Sequence, residues 1–96
     1  MFDFIRESRV VEEGQHSIIL EIPEKIYMTL YGDLTEDNAR YILSQYLKHR
    51  QDDGTVSDVK IKQNRYSHTV NIYANLHYLE NEKTEQEIYA KGKVNL

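Results

Sequence analysis

The chain contains no cysteine. A disulfide framework, a thiolate metal site and a cysteine nucleophile are excluded together. Proline occurs once, at Pro23, and the four glycines, Gly14, Gly32, Gly54 and Gly92, stand no closer than eighteen residues apart. That spacing excludes a glycine-rich phosphate loop, and no serine lies in a G-x-S-x-G context. No apolar run approaches the roughly 20 residues that a membrane-spanning helix needs. The opening Met1-Phe2-Asp3-Phe4-Ile5-Arg6-Glu7 lacks the basic-then-apolar order of a signal peptide. The expectation is a soluble, cytoplasmic chain with no membrane partner.

Metal-binding patterns are also missing. His16, His49, His68 and His77 form no HxxxH pair, and the odd offset between His68 and His77 puts them on opposite faces of a regular strand. Asp52-Asp53-Gly54-Thr55-Val56-Ser57-Asp58 resembles a calcium loop, but Lys60 stands where the closing glutamate belongs. A chain of 96 residues has little room for both a core and an enclosed cavity. Neither catalysis, cofactor, metal nor small-molecule substrate is therefore expected.

With 40% hydrophobic and 29% charged residues and no low-complexity tract, residues 1–96 should fold as a single domain. The formal net charge of −4 opposes nonspecific affinity for nucleic acid. The charge is unevenly placed, however. Residues 59–79 hold Lys60, Lys62 and Arg65 and no acidic residue, which makes them a basic island in an acidic chain.

Local patterns divide the chain into elements. Residues 2–12 are ambiguous, with Phe4 and Val10-Val11 permitting a strand, and Glu12-Glu13-Gly14-Gln15 reads as a turn. Ile18, Leu20 and Ile22 alternate through an interior strand, with Ile19 adding apolar surface on its other face. Residues 23–31 fit a strand or a short helix; Pro23 in the first turn and Gly32 at the end favour the helix, with Ile26, Tyr27, Leu30 and Tyr31 on one face. The spacing of Ala39, Ile42, Leu43, Tyr46 and Leu47 predicts a helix over 36–50, opened by a Thr35 cap with Leu34 placed to staple against Ala39. Asp52-Asp53-Gly54-Thr55 is a turn before a strand through Val59 and Ile61. The tail from Glu80 to Leu96 suits either a helix capped by Thr84 and Glu87 or a last strand.

The clearest strand is "SHTVNIYANLHYLE", residues 67–80. Val70, Ile72, Ala74, Leu76 and Tyr78 should line a core face, and Thr69, Asn71, Tyr73, Asn75 and His77 the other. A hairpin with the preceding strand, looping through Asn64–Ser67 with Gln63 opposite His68, puts Lys60 opposite Asn71 and Lys62 opposite Thr69 on the outside. Of the eight tyrosines, most should cap a small core with their hydroxyls in water, while Tyr73 is turned away from it.

The stretch "IILEIPEKIY" followed by "LTEDNARYILSQYL" resembles the strand, helix, helix order of ribbon-helix-helix DNA-binding proteins, whose strand ends at Pro-Glu. The likeness spans residues 18–47. It departs in a shorter first helix and in Ile18, Ile19, Leu20 and Glu21, which offer no basic row to a major groove. Membership does not follow.

The expected architecture is α+β, an antiparallel sheet of three to five strands with the helix of residues 36–50 packed on one face. The expected function is a small non-catalytic protein-interaction module, adaptor or regulatory, that self-associates as a homodimer or binds a protein partner. Its contact surface is the polar-aromatic face of Tyr73, Lys60, Lys62, Asn71, Asn75 and His77, with Arg65 beside it. The alternative is a nucleic-acid-binding regulator using the basic 59–79 hairpin.

Overall fold

A computed structural model of the chain describes residues 2–78. Six elements follow in order: β1 (Arg6–Glu12), β2 (Gln15–Pro23), α1 (Glu24–Leu30), α2 (Glu36–His49), β3 (Thr55–Asn64) and β4 (Thr69–His77). The strands make one antiparallel sheet in the order β1-β2-β4-β3. The fold is α+β, as the patterning predicts. The alternatives for the tail beyond Tyr78 lie outside the described residues.

Period-two burial builds the centre of the sheet. Ile18, Leu20 and Ile22 of β2 pair with Ala74, Ile72 and Val70 of β4, and all six are buried on the same face. Ala39, Ile42, Leu43, Tyr46 and Leu47 of α2 complete that core at their i, i+3, i+4 spacing. Thr35 caps α2 by accepting from the Asn38 N–H at 3.1 Å, and Glu36 and Asp37 sit at the positive end of its dipole. Both helices lie on this one face, α1 against β2 and β4, α2 against β3.

Pro23 ends β2 and opens α1, which stops where Gly32 adopts φ 80°. The helical reading of residues 23–31 is the correct one, but its apolar face is narrower than expected. Tyr27 is fully buried, whereas Leu30 is 57% exposed. Nor does Tyr27 reach water: its hydroxyl donates to the Asp33 carbonyl. The likeness to ribbon-helix-helix proteins ends at element order, because β2 lies between β1 and β4 inside a four-stranded sheet.

The turns fix the register. Glu13 (φ 50°) and Gly14 (φ 80°) form the two-residue turn that suits the twist of the β1–β2 hairpin. In the β3–β4 hairpin the Asn64 side chain accepts from the Tyr66 and Ser67 N–H groups, and His68 turns left-handed at φ 54°. His68 is therefore part of the turn and cannot face Gln63. The ladder closes instead at Asn64–Thr69, which sets Lys62 opposite Asn71 and Lys60 opposite Tyr73, two residues from the expected register. Because the slip is even, the residues from Lys60 to Asn64 keep their expected faces. A second irregularity follows at Asp58 (φ 51°), an extra residue that bulges β3 between Ser57 and Lys60.

Candidate functional site

Among the described residues both helices lie on one side of the sheet and no element covers the other. Its rows run Arg6, Ser8 and Val10 on β1; Ser17, Ile19 and Glu21 on β2; Asn71, Tyr73, Asn75 and His77 on β4; Ser57, Lys60 and Lys62 on β3. Tyr73 sits between Ile19 and Lys60, half-buried by its neighbours. Next along, Asn71 lies between Glu21 and Lys62. Lys62 leans along the strand and brings its Nζ to 6.0 Å from the Tyr73 ring centroid, within reach of a weak cation–π attraction.

Asn71 is the unusual member of this face. It is only 8% exposed, and its Oδ1 is buried with no hydrogen-bond partner. A buried acceptor left unmet costs roughly 1–3 kcal/mol and is rare in native proteins. The outward alternation of Asn71 is legible in the sequence, but its burial under taller neighbours is not.

Beside Tyr73 is a shallow pocket of about 340 Å³, whose lining includes Ser17, Ile19, Asp58, Lys60, Tyr73 and Asn75. Its polar end is internally satisfied: Ser17 Oγ donates to Asn75 Oδ1 at 3.3 Å, and Asn75 Nδ2 donates to Asp58 Oδ2 at 2.9 Å. Asn75 thus serves to hold the bulge. His77 Nε2 and Ser57 Oγ share a hydrogen bond at 2.6 Å that ties β3 to β4 near the end of the sheet. Arg65 lies in the exposed 65–68 turn at the opposite end. Of the seven residues expected to form the surface, Tyr73, Lys60, Lys62 and Asn71 are brought together, Asn75 adjoins them, and Arg65 and His77 stand at the two extremes of β4.

The fold also dilutes the basic island. Glu21 from β2 stands directly across from Asn71, and the Asp58 carboxylate is drawn in beside Asn75. The face carries both signs at short range instead of a uniform positive field.

Sequence reasoning missed a second polar constellation, on the helix side of β1. Arg9 donates from Nε to Glu7 Oε2 at 2.7 Å, from one terminal nitrogen to Asp52 Oδ2 at 2.9 Å and from the other to the Tyr78 hydroxyl at 2.9 Å. Tyr46 of α2 donates to Glu7 Oε1 at 2.7 Å, and Tyr78 donates to Asp52 Oδ2 at 2.9 Å. Partial burial pushes the Glu7 carboxyl up, but the bonds from Arg9 and Tyr46 outweigh it and hold that group below its ordinary value. At Asp52 burial likewise raises, and the Gly54 N–H, Arg9 and Tyr78 together lower by more. Burial and the Glu7 carboxylate push the Tyr46 phenol up to about 12. Each of these side chains has a partner within the chain, and the cluster fastens β1 to α2 and to the 52–54 turn, while two of the five Arg9 N–H donors take no part in these bonds.

Among the described residues no three His, Asp or Glu side chains converge into a metal-binding group, and no helix is long and apolar enough to cross a membrane. In comparisons with known families, curated proteins and solved structures, none matches the chain.

Proposed function

We propose that the chain is a protein-docking module that takes its partner on the face of the sheet away from the helices, centred on Ile19, Asn71 and Tyr73. The observation that carries this reading is the Asn71 carbonyl, buried without a donor in the middle of a face that no helix covers among the described residues. A donor brought by a partner would satisfy it and convert a cost of the free protein into binding energy. A half-buried tyrosine beside an isoleucine is the kind of anchor on which protein interfaces concentrate their energy. Lys60, Lys62, Glu21 and Asp58 surround that anchor with both signs of charge, which suits a protein surface better than a phosphate backbone.

The test uses the double variant Tyr73→Ala/Lys60→Glu beside the parent chain, each checked for an intact circular-dichroism spectrum. Proteins retained by the parent from cell extract should be lost by the double variant, and the retained protein, once purified, should bind the parent with only shallow dependence on salt. Equal retention by the two chains refutes the reading. Binding of an oligonucleotide that falls steeply with ionic strength would replace it with nucleic-acid recognition.

A further inference from the structure

The two edges of the sheet are built differently. β3 carries the devices that discourage strand addition: the Asp58 bulge breaks its register, and Lys60 and Lys62 stand along it. β1 has neither bulge nor lysine, and its four charges, Arg6, Glu7, Arg9 and Glu12, are of both signs. It pairs with β2 without a register shift from Arg6 to Glu12, contains no proline, and exposes Val10 and Val11, the latter to 59%. Among the described residues nothing pairs with its other edge. The two-residue turn makes Glu12–Gln15 a hydrogen-bonded pair, so alternation directs the backbone N–H and C=O of Glu7, Arg9 and Val11 to that open edge.

We infer that β1 is a self-association edge: two copies of the chain join β1 to β1 antiparallel about a two-fold axis at Ser8, forming one continuous eight-stranded sheet. The sequence Arg6-Glu7-Ser8-Arg9-Val10 is self-complementary in this alignment. Glu7 of each copy faces Arg9 of the other, both in hydrogen-bonded positions and on the helix side, so the Glu7–Arg9 pair within each chain joins an alternating ring of four charges, and Ser8 faces its own copy on the other side. Moving the axis one residue either way sets Arg9 against Arg9 or Glu7 against Glu7. Moving it to Val10 sets no charge opposite its complement across the seam. Charge therefore selects a second copy as the occupant, and Ser8 as the axis, over an arbitrary extended peptide. Joined this way, both sets of helices lie on the same side of the long sheet and both Tyr73 faces on the other. The inference does not rest on the Tyr73 reading, since the paired backbone belongs to β1 alone.

The absence of cysteine makes the test direct. In a non-hydrogen-bonded antiparallel pair the facing Cα atoms are roughly 4.5 Å apart, close enough for a disulfide. Ser8→Cys should therefore cross-link into a covalent dimer under mild oxidation, while Ser44→Cys, exposed on α2, stays uncross-linked. Light scattering of the parent should give twice the chain mass, and Ser8→Lys, which sets two ammonium groups face to face, should give the monomer mass with an unchanged circular-dichroism spectrum. Tyr73→Ala should remain dimeric. A monomeric parent overturns the inference, as does a dimer that survives Ser8→Lys or a Ser8→Cys chain that cross-links no faster than Ser44→Cys. A dimer lost in Tyr73→Ala but kept in Ser8→Lys overturns it too, and places the second copy on the face. Should Ser8→Lys fail to fold, the cross-linking rates decide alone.

Discussion

Replacing Asn71 by valine should make the free protein more stable, contrary to the usual effect of changing a buried residue. The Asn71 side chain is 8% exposed and its Oδ1 has no donor, so the folded state carries the desolvation cost of an amide carbonyl without the bond that normally offsets it. That cost is roughly 1–3 kcal/mol. Valine removes the acceptor and also suits the extended backbone of a central strand, while its extra volume offsets part of the gain on a crowded face. A net stabilisation of about 1–2 kcal/mol follows, and at roughly 4–8 °C per kcal/mol for a domain of this size the thermal midpoint should rise by about 4–10 °C. Thermal and urea unfolding of the two chains, followed by circular dichroism, measure it. Had Asn71 been hydrogen-bonded, the same substitution would lower the midpoint by a comparable amount. A midpoint unchanged or lowered refutes the assignment of an unmet acceptor, and with it the main support for docking on this face. The same variant should bind the partner more weakly than the parent, because the donor that a partner brings would find no acceptor.

The Arg9 network predicts acid sensitivity with a definite sign. Glu7 and Asp52 are held below their ordinary values in the folded chain, so their contribution is complete above the unfolded value of about 4 and is lost as the pH falls through the lower, folded values; urea midpoints should drop between pH 6 and pH 3 by less in Arg9→Ala than in the parent. Near neutrality Arg9→Ala itself should cost about 2 kcal/mol in urea unfolding, less than for a fully buried pair because the Arg9 side chain is 32% exposed. Gly54→Ala places a methyl 2.9 Å from the Tyr78 ring and 3.0 Å from Asp52 Oδ1, and should lower stability by about 1–3 kcal/mol while loosening the Tyr78–Asp52 bond, visible as greater exposure of Tyr78 in tyrosine spectroscopy. Thr35→Ala should cost about 1 kcal/mol through the lost cap of α2, and Thr35→Ser should recover most of it in the same denaturation assay.

Which parts of this molecule can be read from the sequence depends on the range of the interactions involved. Period-two alternation in residues 69–77 and the 39, 42, 43, 46, 47 spacing of α2 are local, and both place their residues on the correct faces. The ends of α1 are marked locally too, by Pro23 and Gly32. Register is less accessible, because it turns on one side chain and two left-handed residues: Asn64 folding back on its own turn, His68 leaving the ladder, and Asp58 adding a bulge. Arg9, Asp52 and Tyr78 meet from three distant points of the chain, and nothing near any one of them announces the others. For the same reason Glu21 is missing from the surface drawn from residues 59–79, and adding it changes a basic island into a mixed one.

The polar groups of the sheet fall into two populations with different physical fates. On the helix side Glu7, Arg9, Tyr46, Asp52 and Tyr78 are each bonded to another member of the group, although Arg9 remains partly open to water. On the side away from the helices such bonding reaches only as far as Asn75, whose amide spends both ends on Ser17 and Asp58 to hold the bulge. Four residues earlier in β4, Asn71 is only 8% exposed and its Oδ1 has no hydrogen-bond partner. Packing alone gives no reason for an amide there, since a valine would fill the site without the penalty. Among the described residues the sheet arms its β3 edge with a bulge and two lysines, leaves the outer edge of β1 unpaired, and carries an unmet carbonyl at the centre of the face away from the helices. Each gap has its own complement: backbone donors and acceptors for β1, and a single hydrogen-bond donor framed by an apolar contact for Asn71 and Tyr73.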